Sequence, residues 1–221
     1  MTAFRILAAT AILFCGGAIA HLEAQTTDSL PAAAGRGDIE RIRTLIADGI
    51  AVDARDERGR TALLVATHRN DVAMARILIS AGADVNATDT IQDSPYLYAA
   101  AEGRLEILRL TLNAGADLMS VNRYGGTGLI PAAHHGHVET VRELLKTRIP
   151  IDHVNRLGWT ALLEAIVLGD GGPTHTEIVR LLVGAGADVN LADSGGVRPL
   201  AHAERRHQAE IVEILRAAGA N

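Results

Sequence analysis

The chain is 221 residues long, 48% hydrophobic and 21% charged, a composition that excludes a disordered polypeptide. Its formal net charge of −5 argues against a generic nucleic-acid binder, which wants a basic domain. Cys15, the single cysteine, and both phenylalanines (Phe4 and Phe14) lie in the first twenty residues, which excludes disulfide scaffolds, thiol nucleophiles and cysteine zinc sites from the remainder.

The N-terminal segment reads as a cleaved export signal over residues 1–20. Arg5 supplies positive charge, Ile6 to Cys15 carry none, and Ala18-Ile19-Ala20 places small residues where a signal peptidase reads them. Cleavage is expected between Ala20 and His21, with a second possible site after Ala24. The uncharged run to Ala20 is shorter than the roughly 20 residues that span a bilayer, so no stable anchor is expected after cleavage. An uncleaved chain would remain tethered to the inner membrane.

Behind the leader, the sequence repeats. Leu30, Leu63, Tyr96, Leu129 and Leu162 are spaced 33 apart, and Leu200 follows after 38. Alanine stands three residues beyond each, and glycine recurs at Gly37, Gly103, Gly136 and Gly169. A recurrence of this kind means stacked supersecondary units, none able to fold alone. Repeats two to five open with an N-capping hydroxyl (Thr61, Ser94, Thr127, Thr160) before an alanine-faced helix. A second helix carries apolar residues at helical spacing, such as Ile39/Ile42/Leu45/Ile46 and Val138/Val141/Leu144/Leu145. It ends on a glycine, Gly49, Gly82, Gly115, Gly186 or Gly219, expected to be left-handed.

These residues carry a resemblance. Gly59-Arg60-Thr61-Ala62-Leu63…Ala66 and Ala81-Gly82-Ala83-Asp84-Val85-Asn86 resemble the ankyrin repeat, with its period of 33 and its T-P-L-H-x-A signature. The resemblance implies an all-α solenoid over residues 27–221. Its six repeats run over approximately 27–55, 56–88, 89–121, 122–154, 155–192 and 193–221. With the leader, the chain resembles small secreted ankyrin proteins of Gram-negative bacteria. That implies a periplasmic or, alternatively, extracellular location.

Three departures stand out. The signature histidine is replaced by Pro31, Leu64, Leu97, Ile130, Leu163 and Ala201, so apolar packing is expected there. Arg148 stands where other repeats have glycine, and a left-handed arginine costs on the order of 1 kcal/mol. Either Arg148→Gly stabilises the chain, or Ile149-Pro150 rebuild the turn. Repeat five carries five extra residues around Gly169 to Pro173, between its helices.

Chemical motifs are absent: the sequence holds no P-loop, no dinucleotide-binding glycine fingerprint, no H-E-x-x-H and no G-x-S-x-G elbow. No catalytic residue and no cofactor is expected. His134, His135 and His137 are weak metal candidates, which keeps a metal-binding role open as an alternative. Asp152-His153 and Asp170 belong to different ends of their repeats. Glu164 is expected to cap or pack rather than to act as a general acid.

The family resemblance places partner binding on hairpin tips and on the inner face of the first helices. Those positions hold Arg58, Arg60, Arg69, Arg123, Arg156, Arg205 and Arg206 against three acids, Glu57, Asp93 and Glu102. Tyr124, His134, His135, Leu157, Trp159 and Leu168 join them in repeats four and five. The expected function is a monomeric, non-catalytic scaffold binding an acidic protein surface through this concave face, with Trp159 as central anchor. Polyanion binding, or assistance to an envelope or stress-defence enzyme, are further alternatives.

Overall fold

The computed structural model describes residues 29–221, so the leader and its cleavage site lie outside the described residues. Among these there are twelve helices and no strand, only an isolated antiparallel bridge between Arg55 and Thr61. The helices form six pairs: α1 (Leu30–Arg36) with α2 (Ile39–Ala47), α3 (Ala62–His68) with α4 (Val72–Ser80), and α5 (Pro95–Ala101) with α6 (Leu105–Asn113). Then come α7 (Leu129–His134) with α8 (Val138–Leu144), α9 (Ala161–Val167) with α10 (Pro173–Gly184), and α11 (Pro199–Arg205) with α12 (Ala209–Ala217). First helices pack on first helices of the next repeat and, from α4 onward, second helices on second helices. No described helix is long and apolar enough to cross a membrane.

The period follows from the packing. Leu30, Leu63, Tyr96, Leu129 and Leu162 are all buried in one continuous core, and alanines 33, 66, 99, 132, 165 and 203 are fully buried between neighbouring helices. Leu64, Leu97, Ile130 and Leu163, which replace the signature histidine, are buried too. On the opposite side, a ladder of exposed ion pairs joins the second helices: Arg109–Glu143, Arg142–Glu177 and Arg180–Glu210. Exposed pairs of this type are worth about 0–1 kcal/mol each.

Caps set the ends of the helices. Ser29, Thr61, Ser94 and Thr160 accept a backbone N–H of the first turn, and Asp38 and Asp71 do so for α2 and α4. Thr127 does not. Gly128 there is already helical, α7 starts one residue later than the pattern implies, and the Thr127 hydroxyl is buried without a partner. Gly128 packs tightly against repeat three: the Ala100 Cβ and the Tyr96 hydroxyl both lie 3.0 Å from where a Cβ at residue 128 would stand, so a larger residue there would press on both.

Two turns of repeats four and five depart from the others. Gly49, Gly82, Gly115, Gly186 and Gly219 are left-handed, as expected, but Arg148 is not. Thr147 takes over instead: its hydroxyl donates to the Leu144 carbonyl at 2.6 Å and accepts the Ile149 N–H at 3.2 Å. The turn is rebuilt and no left-handed cap forms at Arg148, but the hydroxyl of Thr147, rather than Ile149-Pro150 alone, makes the replacing hydrogen bonds. In repeat five the left-handed residue between the helices is Gly171 rather than Gly169. The insertion continues into α10, whose 12 residues exceed the nine of α2, α4, α6 and α12.

Candidate functional site

The hairpins that lead into the first helices share one construction. Asp56, Asp89, Asn122, Asn155 and Asp193 each accept two backbone N–H groups, from residues two and four further on, at 2.9–3.0 Å. This side-chain mimic of a turn fixes each tip. Successive tips are tied by the Thr90 N–H donating to the Arg58 carbonyl and the Arg156 N–H to Tyr124, both at 3.0 Å. Residues 123 and 124, 156 and 157 are thereby held on one surface.

A pocket of about 390 Å³ opens on that surface, where the tips and first helices of repeats three to five meet. Tyr98, Tyr124, Leu157 and Leu168 form apolar walls, and Tyr124, Leu157 and Leu168 are 56%, 52% and 41% exposed. Ile91, on the tip of repeat three, is exposed as well. At the floor lies Glu164, only 5% exposed. Its Oε1 accepts the Asn155 amide at 2.8 Å, and its Oε2 stands 3.4 Å from His134 Nδ1. Burial pushes the Glu164 carboxyl above its ordinary range, against the opposing pull of the Asn155 hydrogen bond. Burial, together with His135 and His175, holds the His134 imidazole below its ordinary value. The sequence suggested a capping or packing role for Glu164. The structure gives it a hydrogen-bonded place on a pocket floor.

The seven arginines divide into three groups. Arg60 pairs with Asp56 at 2.7 Å, and Arg123 lies 3.3 Å from Asp93 and stacks over Tyr124 with 5.2 Å to the ring centroid. Arg69, Arg156 and Arg206 donate to the carbonyls of Gly35, Arg123 and Gly169 in the preceding repeat. The side chains of Arg58 and Arg205 are exposed, and neither pairs with a carboxylate among the described residues. Trp159 is half-buried and does not line the pocket. The exposed apolar surface next to it comes from Tyr124, Leu157 and Leu168.

The three candidate metal-binding histidines point to different partners. His134 faces Glu164, and His135 donates from Nδ1 to the Ala101 carbonyl at 2.6 Å. The ring of His137 covers Gly103, within 3.0 Å of where a Cβ would be. His153 donates to the Gly125 carbonyl, and Asp152 accepts the Asp188 N–H. Among the described residues, no group of three or more His, Cys, Asp or Glu is placed to hold a metal ion.

The stacked pairs, the left-handed glycines and the tied hairpins agree with the family comparison, in which the model for ankyrin repeats (3 copies) matches residues 7–89 and 96–193. The chain belongs to the ankyrin repeat family. Among solved structures, it is similar to an ankyrin repeat domain from Acinetobacter baumannii AYE, with a TM-score of 0.85 and 57% identity over 87% of this chain and 98% of that one. It is also similar to the ankyrin repeat protein EF0377, at 0.83 and 41% over 88% and 98%, and to the ankyrin repeat domain of Bcl-3, a member of the IkappaB protein family, at 0.78 and 26% over 87% and 86%. Over 57 residues it is 49% identical to the putative ankyrin repeat protein YahD of Escherichia coli (strain K12), a match covering 26% of this chain and 28% of that protein. Ankyrin repeats generally mediate protein–protein interaction and are generally non-catalytic.

Proposed function

We propose that this ankyrin protein is a periplasmic, non-catalytic scaffold that holds a partner protein against its hairpin and first-helix face. One observation carries the reading. Tyr124 and Leu157, on hairpins tied to one another, and Leu168, at the end of α9, are large apolar side chains exposed around a single pocket, in a fold that generally binds proteins. Aromatic and aliphatic anchors of this type, ringed by polar groups, dominate interface energies. Arg58 and Arg205, without an ion pair among the described residues, and Arg156 and Arg206, which spend only a carbonyl bond, leave positive charge at the tips of repeats two and five and at the end of α11 to steer acidic groups of the partner. Support for export comes from Arg5, the uncharged run that follows it and Ala18-Ile19-Ala20.

Affinity capture from periplasmic extract, using wild type and a Tyr124→Ala/Leu157→Ala/Leu168→Ala variant in parallel, tests the surface. A partner retained by wild type and lost by the variant is the expected outcome. Equal retention by both assigns binding to another face. N-terminal sequencing of the periplasmic protein should begin at His21, or at Gln25 if the second site is used, and an intact Met1 in the cytoplasm refutes export.

A further inference from the structure

We propose that the pocket between repeats three and five receives an arginine side chain of the partner protein, with the Glu164 carboxylate as its acceptor. The inference rests on the protein-binding reading above and specifies the chemistry of the partner's anchor.

Charge chooses the class of guest. Three carboxylates, Asp93, Glu102 and Glu164, line the pocket against one guanidinium, Arg123, and two imidazoles, His134 and His135. Arg123 is already held by Asp93 and by the face of Tyr124. Glu102 forms no ion pair among the described residues and is exposed at the rim. Glu164 is the deepest of the three, its side chain 6% exposed. An ionised carboxylate has about four lone-pair sites, and Glu164 accepts one hydrogen bond, from Asn155. His134 Nδ1 stands 3.4 Å from its Oε2, an ion pair only when the imidazole is protonated, and burial disfavours that form. A buried carboxylate with unused acceptor sites is costly unless paired, so an anionic guest is disfavoured and a donor-rich cation favoured.

Shape narrows the class to arginine. A volume of about 390 Å³ falls within the range of ligand pockets. Apolar walls suit an aliphatic stem with its charge at the far end, and the planar guanidinium both stacks on aromatic rings and engages a carboxylate with two N–H groups. Tyr98 and Tyr124 supply the rings. A lysine would keep the charge and lose the planar fit.

The test is a titration of the isotope-labelled protein with N-acetyl-arginine methylamide, followed by amide chemical shifts. Saturable shifts are expected at Tyr124, Asn155 and Leu157. The neutral citrulline analogue should bind at least tenfold more weakly, as should arginine to Glu164→Gln. That variant's amide spectrum and melting temperature show whether it is folded, and Glu102→Gln, on the exposed rim, gives a second reading with a smaller loss. Absence of binding, equal binding of arginine and citrulline, or an N-acetyl-aspartate methylamide probe shifting the same amides more strongly would overturn the assignment. A captured partner that needs Tyr124, Leu157 and Leu168 but ignores Glu164→Gln sinks the arginine pocket alone. Arginine binding with no captured partner sinks the scaffold reading alone.

Discussion

Asn155 is built into its hairpin through one side-chain atom and into the pocket through the other. Oδ1 accepts two backbone N–H groups, and Nδ2 donates to Glu164. The equivalent pair in repeat six has the opposite polarity: Asp193 accepts from His202 at 2.7 Å. Hydrogen bonds from the Val197 N–H and from His202 hold the Asp193 carboxyl below its ordinary range. Asparagine at 155 is therefore required by glutamate at 164. Asn155→Asp would set two carboxylates against each other, and should destabilise by about 1–3 kcal/mol at neutral pH. Combining it with Glu164→Gln should recover most of that loss, which denaturant midpoints of the four proteins in the cycle would show. The wild type has its own pH dependence here. A raised folded-state value for Glu164 means its contribution is complete below the ordinary value of 4.5 and is lost as pH climbs through the raised value. Glu164→Gln should flatten the stability curve in that window, and a curve that matches wild type there would assign the shift to another group.

At the scale of the helix and its ends, the turn after α8 tests how a repeat tolerates losing its glycine. With Thr147 bridging Leu144 and Ile149, Arg148 occupies an ordinary backbone region. Arg148→Gly should then cost about 0.5–1 kcal/mol through chain entropy, readable as a lower melting temperature. A gain would mean the left-handed cap re-forms once glycine permits it. Much at this scale was legible in the sequence. Thr61, Ser94 and Thr160 cap as their spacing implies, and the five helix-ending glycines are left-handed. Thr127 was not legible: the helical Gly128 that follows it packs against Ala100 and Tyr96 of the neighbouring repeat, a contact with no mark in its own repeat's sequence. The Asx hairpins had a usable signal, since Asp56, Asp89, Asn122 and Asn155 keep the period of 33 and Asp193 follows after 38. The alternation of Asp with Asn hides the recurrence until the shared backbone role is seen. The pocket had no local signal at all: its walls come from three repeats, and Glu164, read as a capping or packing residue, gains its place on the pocket floor only through its register with Asn155.

Over the whole molecule, coupling is to nearest neighbours, as expected of a solenoid. The carbonyls near the ends of the first helices look for donors in the next repeat. Gly35 finds Arg69, Ala101 finds His135, His134 finds His175, and Gly169 finds Arg206. Gln208 adds a bond to the Ile166 carbonyl at 3.0 Å, and its side chain packs over Gly171. Deleting 193–221 removes Arg206 and Gln208 together and uncovers the buried face of α10, including Ile178 and Val179. Hydrogen exchange should then show protection lost across α9 and α10 and kept across α1 to α6. Uniform loss would mean the stack unfolds as a single unit.

These links all run one way, from a helix end to the repeat that comes after it. On a ribosome, which releases the N-terminal part first, α1, α5, α7 and α9 each emerge before the side chain that will close them. These repeats therefore wait for their successors, and the nascent array carries an unfinished end. That end moves along the chain as synthesis proceeds, so the vulnerable species is never the same segment for long.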